Sequence, residues 1–96
     1  MRVHEFPIRS DFERSDLIAI SHQSAQFESE VALQFKVGLV EHSVDVKSLL
    51  GMMLLPIAAG SVVRLLTKGK DEEEALNYIF ELFDRHLQPG GTDIAE

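Results

Sequence analysis

Alternating apolar and polar positions predict four strands. The alternation is clearest over residues 30–36, where Val31, Leu33 and Phe35 would share one face of a strand. Residues 3–9 alternate more weakly around Pro7, which suits an edge strand or a strand end. Two further strands are predicted near residues 43–46 and over residues 61–67.

Apolar positions at three- and four-residue spacing predict three helices. The first begins near residue 12 or 15, after the candidate capping oxygens of Ser10 and Asp11. A short apolar helix follows Ser48, which is placed as its N-cap. The third has the strongest signal, since Asp71 and Glu74 resemble a capping pair and acidic residues suit the positive end of a helix dipole.

The order of these elements is strand, helix, strand, strand, short helix, strand, helix. An antiparallel sheet with helices on one face is the natural way to bury one apolar face of each element. The predicted fold class is therefore α+β, with a four-stranded antiparallel sheet. We expect a single domain over residues 1–88 and a polar C-terminal tail over residues 89–96, because Pro89 and two glycines end the last helix.

Length, composition and net charge indicate a small globular domain that binds neither nucleic acid nor a membrane. A chain of 96 residues with 45% apolar residues is an ordinary small globular domain. The net charge of −7 argues against a nucleic-acid surface, which needs clustered lysine and arginine. The most apolar stretch, residues 49–59, is about half of a spanning helix and contains Gly51 and Pro56, so no membrane contact is expected. The chain lacks cysteine, and a cytoplasmic location is expected.

Three segments in the second half resemble a known family. Lys47 and Ser48 precede Leu-Leu-Gly-Met-Met, a strand ends at Thr67-Lys68-Gly69, and an acidic helix start follows at residues 71–76. In this order and spacing they are similar to HPr, the histidine-containing phosphocarrier of the bacterial sugar phosphotransferase system, over most of residues 3–87. The resemblance implies an open-faced β-sandwich of order βαββαβα. It also implies an enlarged hairpin loop over residues 36–41, where this chain is longer than the family pattern.

The resemblance fails at the family's catalytic segment, Gly-Leu-His-Ala-Arg-Pro. The segment from Gln26-Phe27 to Leu33 resembles the end of the family's first helix and its second strand. Counting back from Phe27 without gaps aligns the catalytic segment with residues 11–16, so that Glu13 replaces the phosphorylated histidine and Ser15 replaces the arginine. We therefore expect no catalytic residue and no enzymatic activity, but a regulatory or docking relative. Two alternatives remain: a phosphoryl carrier that uses Glu13 or a neighbouring acid, and a generic protein-interaction domain of similar topology. No cofactor is expected, and the four histidines lack paired metal-ligand spacing, so no metal is expected.

The short helix carries the predicted site. The resemblance implies that Ser48 is the target of a regulatory kinase, whereas a plain N-cap serine is the alternative. Leu49, Leu50, Met52 and Met53 cannot all be buried in so short a helix, and methionine suits adaptable protein surfaces. The predicted partners are phosphotransferase components, a kinase or a transcription regulator, bound through this helix, and a homodimer is a further possibility.

Overall fold

A computed structural model describes residues 1–9, 11–54 and 59–87, with side chains as far as Arg85. The predicted tail, the capping role of Ser10 and the position of Pro56 lie outside these residues. The elements follow the predicted order: β1 (Arg2–Pro7), α1 (Arg14–Ser24), β2 (Glu30–Val37), β3 (Val40–Asp45), α2 (Leu49–Met53), β4 (Val62–Lys68) and α3 (Glu72–Leu87).

The four strands form one antiparallel sheet in the order β1-β4-β2-β3. Central strand β2 pairs on one side with β4, where Leu33 lies opposite Leu65, and on the other with β3, where Leu33 lies opposite Val44. Strand β1 pairs with the outer side of β4, so β1 and β3 form the two edges. The predicted α+β class with a four-stranded antiparallel sheet and helices on one face is confirmed.

The core lies between one face of this sheet and the three helices. Alternate residues of β2 and β4 are buried because side chains of successive strand residues point to opposite faces. The buried cluster joins these strand residues to one side of each helix; it includes Leu33, Val63 and Leu65 from the sheet and Ile20, Met52, Ile79 and Phe83 from the helices. The opposite face of the sheet, here called the open face, carries polar side chains such as Glu5, Gln34 and Arg64.

The predicted enlarged loop over residues 36–41 is wrong. Lys36 pairs with Glu41 and Val37 with Val40, so the extra residues lengthen both strands of the β2–β3 hairpin. Gly38 and Leu39 alone form the turn, and Gly38 has a φ of +63°, a conformation that glycine adopts without steric cost. Alternation continues through the added residues, and backbone pairing extends the ladder in place of an open loop.

Two predicted helix caps have other partners. Helix α1 begins at Arg14 with Glu13 as its N-cap, while the Asp11 carboxylate accepts a hydrogen bond from the Ala59 N–H at 3.0 Å. The Asp71 carboxylate accepts from the N–H groups of Glu28 and Ser29, at 2.9 Å each, in place of the predicted pairing with Glu74. Both acids therefore connect segments far apart in the sequence, which a local capping pattern does not reveal.

Candidate functional site

Ser48 is the N-cap of α2. Its backbone is extended (φ −84°, ψ 110°), and its hydroxyl oxygen accepts a hydrogen bond from the Gly51 N–H at 3.1 Å. The Ser48 carbonyl accepts from the Met52 N–H at 3.0 Å, which closes the first helical turn. A Cβ atom at Gly51 would lie 3.3 Å from the Ser48 hydroxyl oxygen, so the glycine leaves room for the cap. The serine side chain is partly exposed at the start of the helix.

Helix α2 has one buried and one exposed side. Leu49, Leu50 and Met53 expose 47%, 69% and 38% of their surface, and Leu54 just after the helix exposes 71%. Met52 is fully buried in the core, so its predicted place on the partner surface is wrong. A five-residue helix lying on a sheet turns one position inward, and Met52 occupies that position. We call Leu49, Leu50, Met53 and Leu54 the α2 patch.

A groove separates the α2 patch from helix α1. Its volume is about 240 Å³, and residues of both helices and the segment before α2 line it: Ile18, Ser21, His22, Ala25, Lys47 and Leu49. The Lys47 ammonium donates a hydrogen bond to the Phe27 carbonyl at 2.6 Å, which ties the start of α2 to the chain just after α1. Ile18, which is 39% exposed, extends the apolar surface onto α1. The apolar spacing that predicts α1 gave no indication that Ile18 and His22 line a groove.

The first turn of α1 is acidic and exposed. Glu13 and Ser15 are both exposed, and the Glu13 N–H donates a hydrogen bond to the Asp16 carboxylate at 3.1 Å. Residues 11–17 contain no histidine. His4 lies on β1 with its ring 4.2 Å from that of Phe80, and His42 lies on β3 stacked on Phe35 at 5.5 Å. An imidazole nucleophile is thus absent from this turn, and only carboxylates, Ser15 and Arg14 are available there.

Among the described residues, no three histidine, aspartate or glutamate side chains are grouped closely enough to hold a metal ion. No helix in the same part of the chain has the length and apolar character needed to cross a membrane.

Residues 18–85 match the protein-family model described as the PTS HPr component phosphorylation site. The chain belongs to the HPr family. It is 33% identical over 70 residues to the phosphocarrier protein HPr of Cupriavidus necator, which covers 73% of this chain and 79% of that protein. It is also 33% identical over 63 residues to the HPr-like protein Crh of Halalkalibacterium halodurans, with 66% and 70% covered.

Solved structures of HPr proteins have the same fold. The HPr-C-His structure from Thermoanaerobacter tengcongensis superposes with a TM-score of 0.74 at 24% identity, covering 98% of this chain and 100% of that one. Crh of Bacillus subtilis, an intertwined dimer with a swapped domain, superposes with a TM-score of 0.66 at 25% identity, covering 93% and 98%. The family match begins at residue 18, after the first turn of α1, and does not include Glu13 or Ser15.

Proposed function

We propose that this HPr-family protein is a regulatory, docking member of the phosphotransferase system that does not carry phosphate on a histidine. The observation that carries the proposal is the exposed α2 patch, which lies directly after a partly exposed cap serine. Three exposed leucines and a methionine in six residues form an apolar surface of the kind that binds other proteins.

The acidic first turn of α1 supports the loss of phosphoryl transfer. Phosphate binding favours cationic and N–H donor groups. Asp11, Glu13 and Asp16 lie in this region, with Arg9 and Arg14 as the nearby cations in sequence. A phosphoryl group approaching Glu13 would be repelled by the adjacent carboxylates, and an acyl phosphate would lack the arginine that Ser15 replaces in the family pattern.

Likeness to Crh supports a regulatory role. One relative carries the name HPr-like protein Crh, and the Bacillus subtilis Crh is described as a catabolite repression protein. The proposed partners of the α2 patch are a kinase, a transcription regulator or other phosphotransferase components. The protein has no enzymatic reaction of its own in this proposal, as is the case for the phosphocarriers to which it is similar.

Transfer to histidine is tested with Enzyme I and phosphoenolpyruvate, using an authentic HPr as the positive control. We expect the mass of this protein to stay unchanged while the control gains one phosphate. A hydroxylamine-sensitive phosphate would identify a carboxylate carrier, and an acid-labile phosphate on histidine would identify a true carrier. Either product would overturn the proposal.

Docking is tested with Met53→Glu, using Val62→Glu as the matched control. Both residues are exposed and apolar, but Val62 lies on the open face, away from α2. Met53→Glu should weaken binding to Enzyme I or HPr kinase by about tenfold or more, since a charge would enter a desolvated apolar contact. Titration calorimetry measures this loss, and equal affinities for the two variants would remove the α2 patch as the docking surface.

Ser48 is proposed as a regulatory phosphorylation site. A phosphate on its hydroxyl would face the helix N–H groups, where negative charge is stabilised. HPr kinase with ATP should add one phosphate to the protein and none to Ser48→Ala, as measured by intact mass. Ser43→Ala is the control because it removes an exposed hydroxyl elsewhere. If the wild-type mass does not change, Ser48 is a structural cap and only docking remains.

A further inference from the structure

Strand β3 has an unpaired outer edge. It is the last strand in the sheet order, and in the described part of the chain no other strand pairs with its outer side. The opposite edge, β1, contains Pro7, which lacks an N–H donor, whereas the six residues of β3 include neither proline nor lysine. Proline and lysine are common devices that block strand addition at an edge. The backbone of β3 is therefore open to pairing with another strand.

The lengthened hairpin gives this edge an exposed apolar side. Val37 and Val40 lie on the same face as the core residues of the hairpin but are 45% and 60% exposed. Val44, further along β3, is only partly covered by the core. Leu39 at the turn is 99% exposed. The hairpin thus extends beyond the helices that cover the rest of this face.

We propose that β3 pairs antiparallel with β3 of a second copy around a twofold axis at His42, which joins two four-stranded sheets into one of eight strands. The helices of both copies then cover the same side of the joined sheet. Residues directly opposite each other in the two strands must therefore point to the same face. In this register Val40 faces Val44 of the second copy, and each valine covers the other's exposed surface.

The charged residues of β3 favour an axis at His42 over an axis at either neighbouring residue. With the axis at His42, Glu41 lies opposite Ser43 of the second copy, and no like charges are directly opposed. Moving the axis to Glu41 would oppose the two Glu41 carboxylates. Moving it to Ser43 would oppose Glu41 and Asp45. Like charges directly opposite each other destabilise antiparallel pairs, so of these three registers only the one with its axis at His42 avoids them.

The β3–β3 contact is small, and the two copies repel each other because both are negatively charged. Six-residue strands bury less surface than a stable interface needs, and each copy carries a net charge of −7. Association should therefore be weak, rapid and reversible, and it should strengthen as added salt screens the repulsion. This differs from exchange of a domain, which is slow because part of each copy must first detach.

The first test changes the residue opposite Glu41. Ser43 is exposed on the open face, so Ser43→Glu and Ser43→Lys should both keep the monomer fold. In Ser43→Glu, the new carboxylate of each copy lies opposite Glu41 of the other copy. Sedimentation equilibrium should therefore show a dimer dissociation constant about tenfold higher than that of the wild type. Ser43→Lys creates two pairs of opposite charge with Glu41 and should lower the dimer dissociation constant. Equal association of both variants would overturn the register.

The second test uses the absence of cysteine in the chain. At the axis, the two Cα atoms of a His42→Cys variant would be about 4.5–5.5 Å apart, within the span of a disulfide. In Ser43→Cys the two Cα atoms would be offset along the strands by two residues, about 7 Å, and would be too far apart to bridge. Mild oxidation should cross-link His42→Cys much faster than Ser43→Cys.

A control separates this contact from the α2 patch. Met53→Glu should leave the dimer unchanged, while Ser43→Glu should leave docking at the α2 patch unchanged. The inference is overturned if Met53→Glu abolishes dimer formation, if both cysteine variants cross-link equally, or if the wild-type and Ser43→Lys proteins stay monomeric at millimolar concentration and high salt. The cross-linking and monomer results would leave the proposed docking function intact, whereas loss of the dimer in Met53→Glu would assign the α2 patch to self-association.

Discussion

Asp71 holds the loop between α1 and β2. Its carboxylate accepts hydrogen bonds from the Ser29 hydroxyl and from the N–H groups of Glu28 and Ser29. These bonds, the Ser29 hydroxyl bond foremost, favour the ionised form and hold the pKa of Asp71 below its ordinary value. The same residue precedes α3, where its carbonyl accepts from the Ala75 N–H at 2.9 Å. One residue therefore links the start of α3 to the beginning of the central strand.

Replacing Asp71 by asparagine should make stability less dependent on pH. Because the folded pKa is below the unfolded one, the carboxylate stabilises the fold above about pH 4 and loses this contribution as the pH falls through the folded pKa. Asp71→Asn should unfold at lower denaturant concentration than the wild type at neutral pH, and the difference should shrink in acid. Glu74→Gln, an exposed acid nearby, is the control; a difference that stays constant with pH would contradict the assignment.

Gly69 shows why a turn glycine needs its tertiary surroundings to be understood. It has a φ of +149°, and a Cβ atom there would lie 2.8 Å from both the Cα and the hydroxyl oxygen of Ser29. The sequence predicts a turn at this point from the glycine and neighbouring polar residues. The close approach of Ser29, forty residues earlier, is a second requirement that no local pattern contains.

At the scale of elements, α2 combines a core role and a surface role in five residues. Met52→Ala should lower the free energy of unfolding by about 2–5 kcal/mol, because Met52 is fully buried and its removal leaves a cavity. Leu50→Ala on the exposed side should change it by about 0.5 kcal/mol or less. Chemical denaturation measures both variants. Similar losses of unfolding free energy in the two variants would contradict a buried role for Met52 and an exposed role for Leu50.

The β2–β3 hairpin is the element that sequence reasoning described least well. Its extra residues continue the strand alternation, since Val37 and Val40 fall on the same face as Phe35. Comparison with the family pattern assigned these residues to a loop, where insertions are commonest. Cross-strand hydrogen bonding favours extension instead, because a two-residue turn at Gly38 and Leu39 leaves fewer backbone groups without partners.

At the scale of the whole molecule, the element order and the sheet follow from local patterns. The apolar faces of β2, β4 and the helices meet in one core between the sheet and a single helical layer, while the apolar side of the β2–β3 hairpin end and the α2 patch stay exposed. The resemblance to HPr over most of residues 3–87 agrees with the family match over residues 18–85. The predicted roles of Glu13 and Ser15 remain proposals, because the match begins after them.

The sequence by itself determined the fold class, the capping position of Ser48 and the acidity of the first turn of α1, since periodicity, cap chemistry and charge are local properties. The family followed from the resemblance of its motifs to those of HPr. Only the tertiary structure decided that Met52 is buried while Leu50 is exposed, that Asp71 binds the loop at Ser29, and that the added residues lengthen a hairpin. The reason is that burial and long-range hydrogen bonds depend on which distant segment lies against a residue, and folding alone brings those segments together.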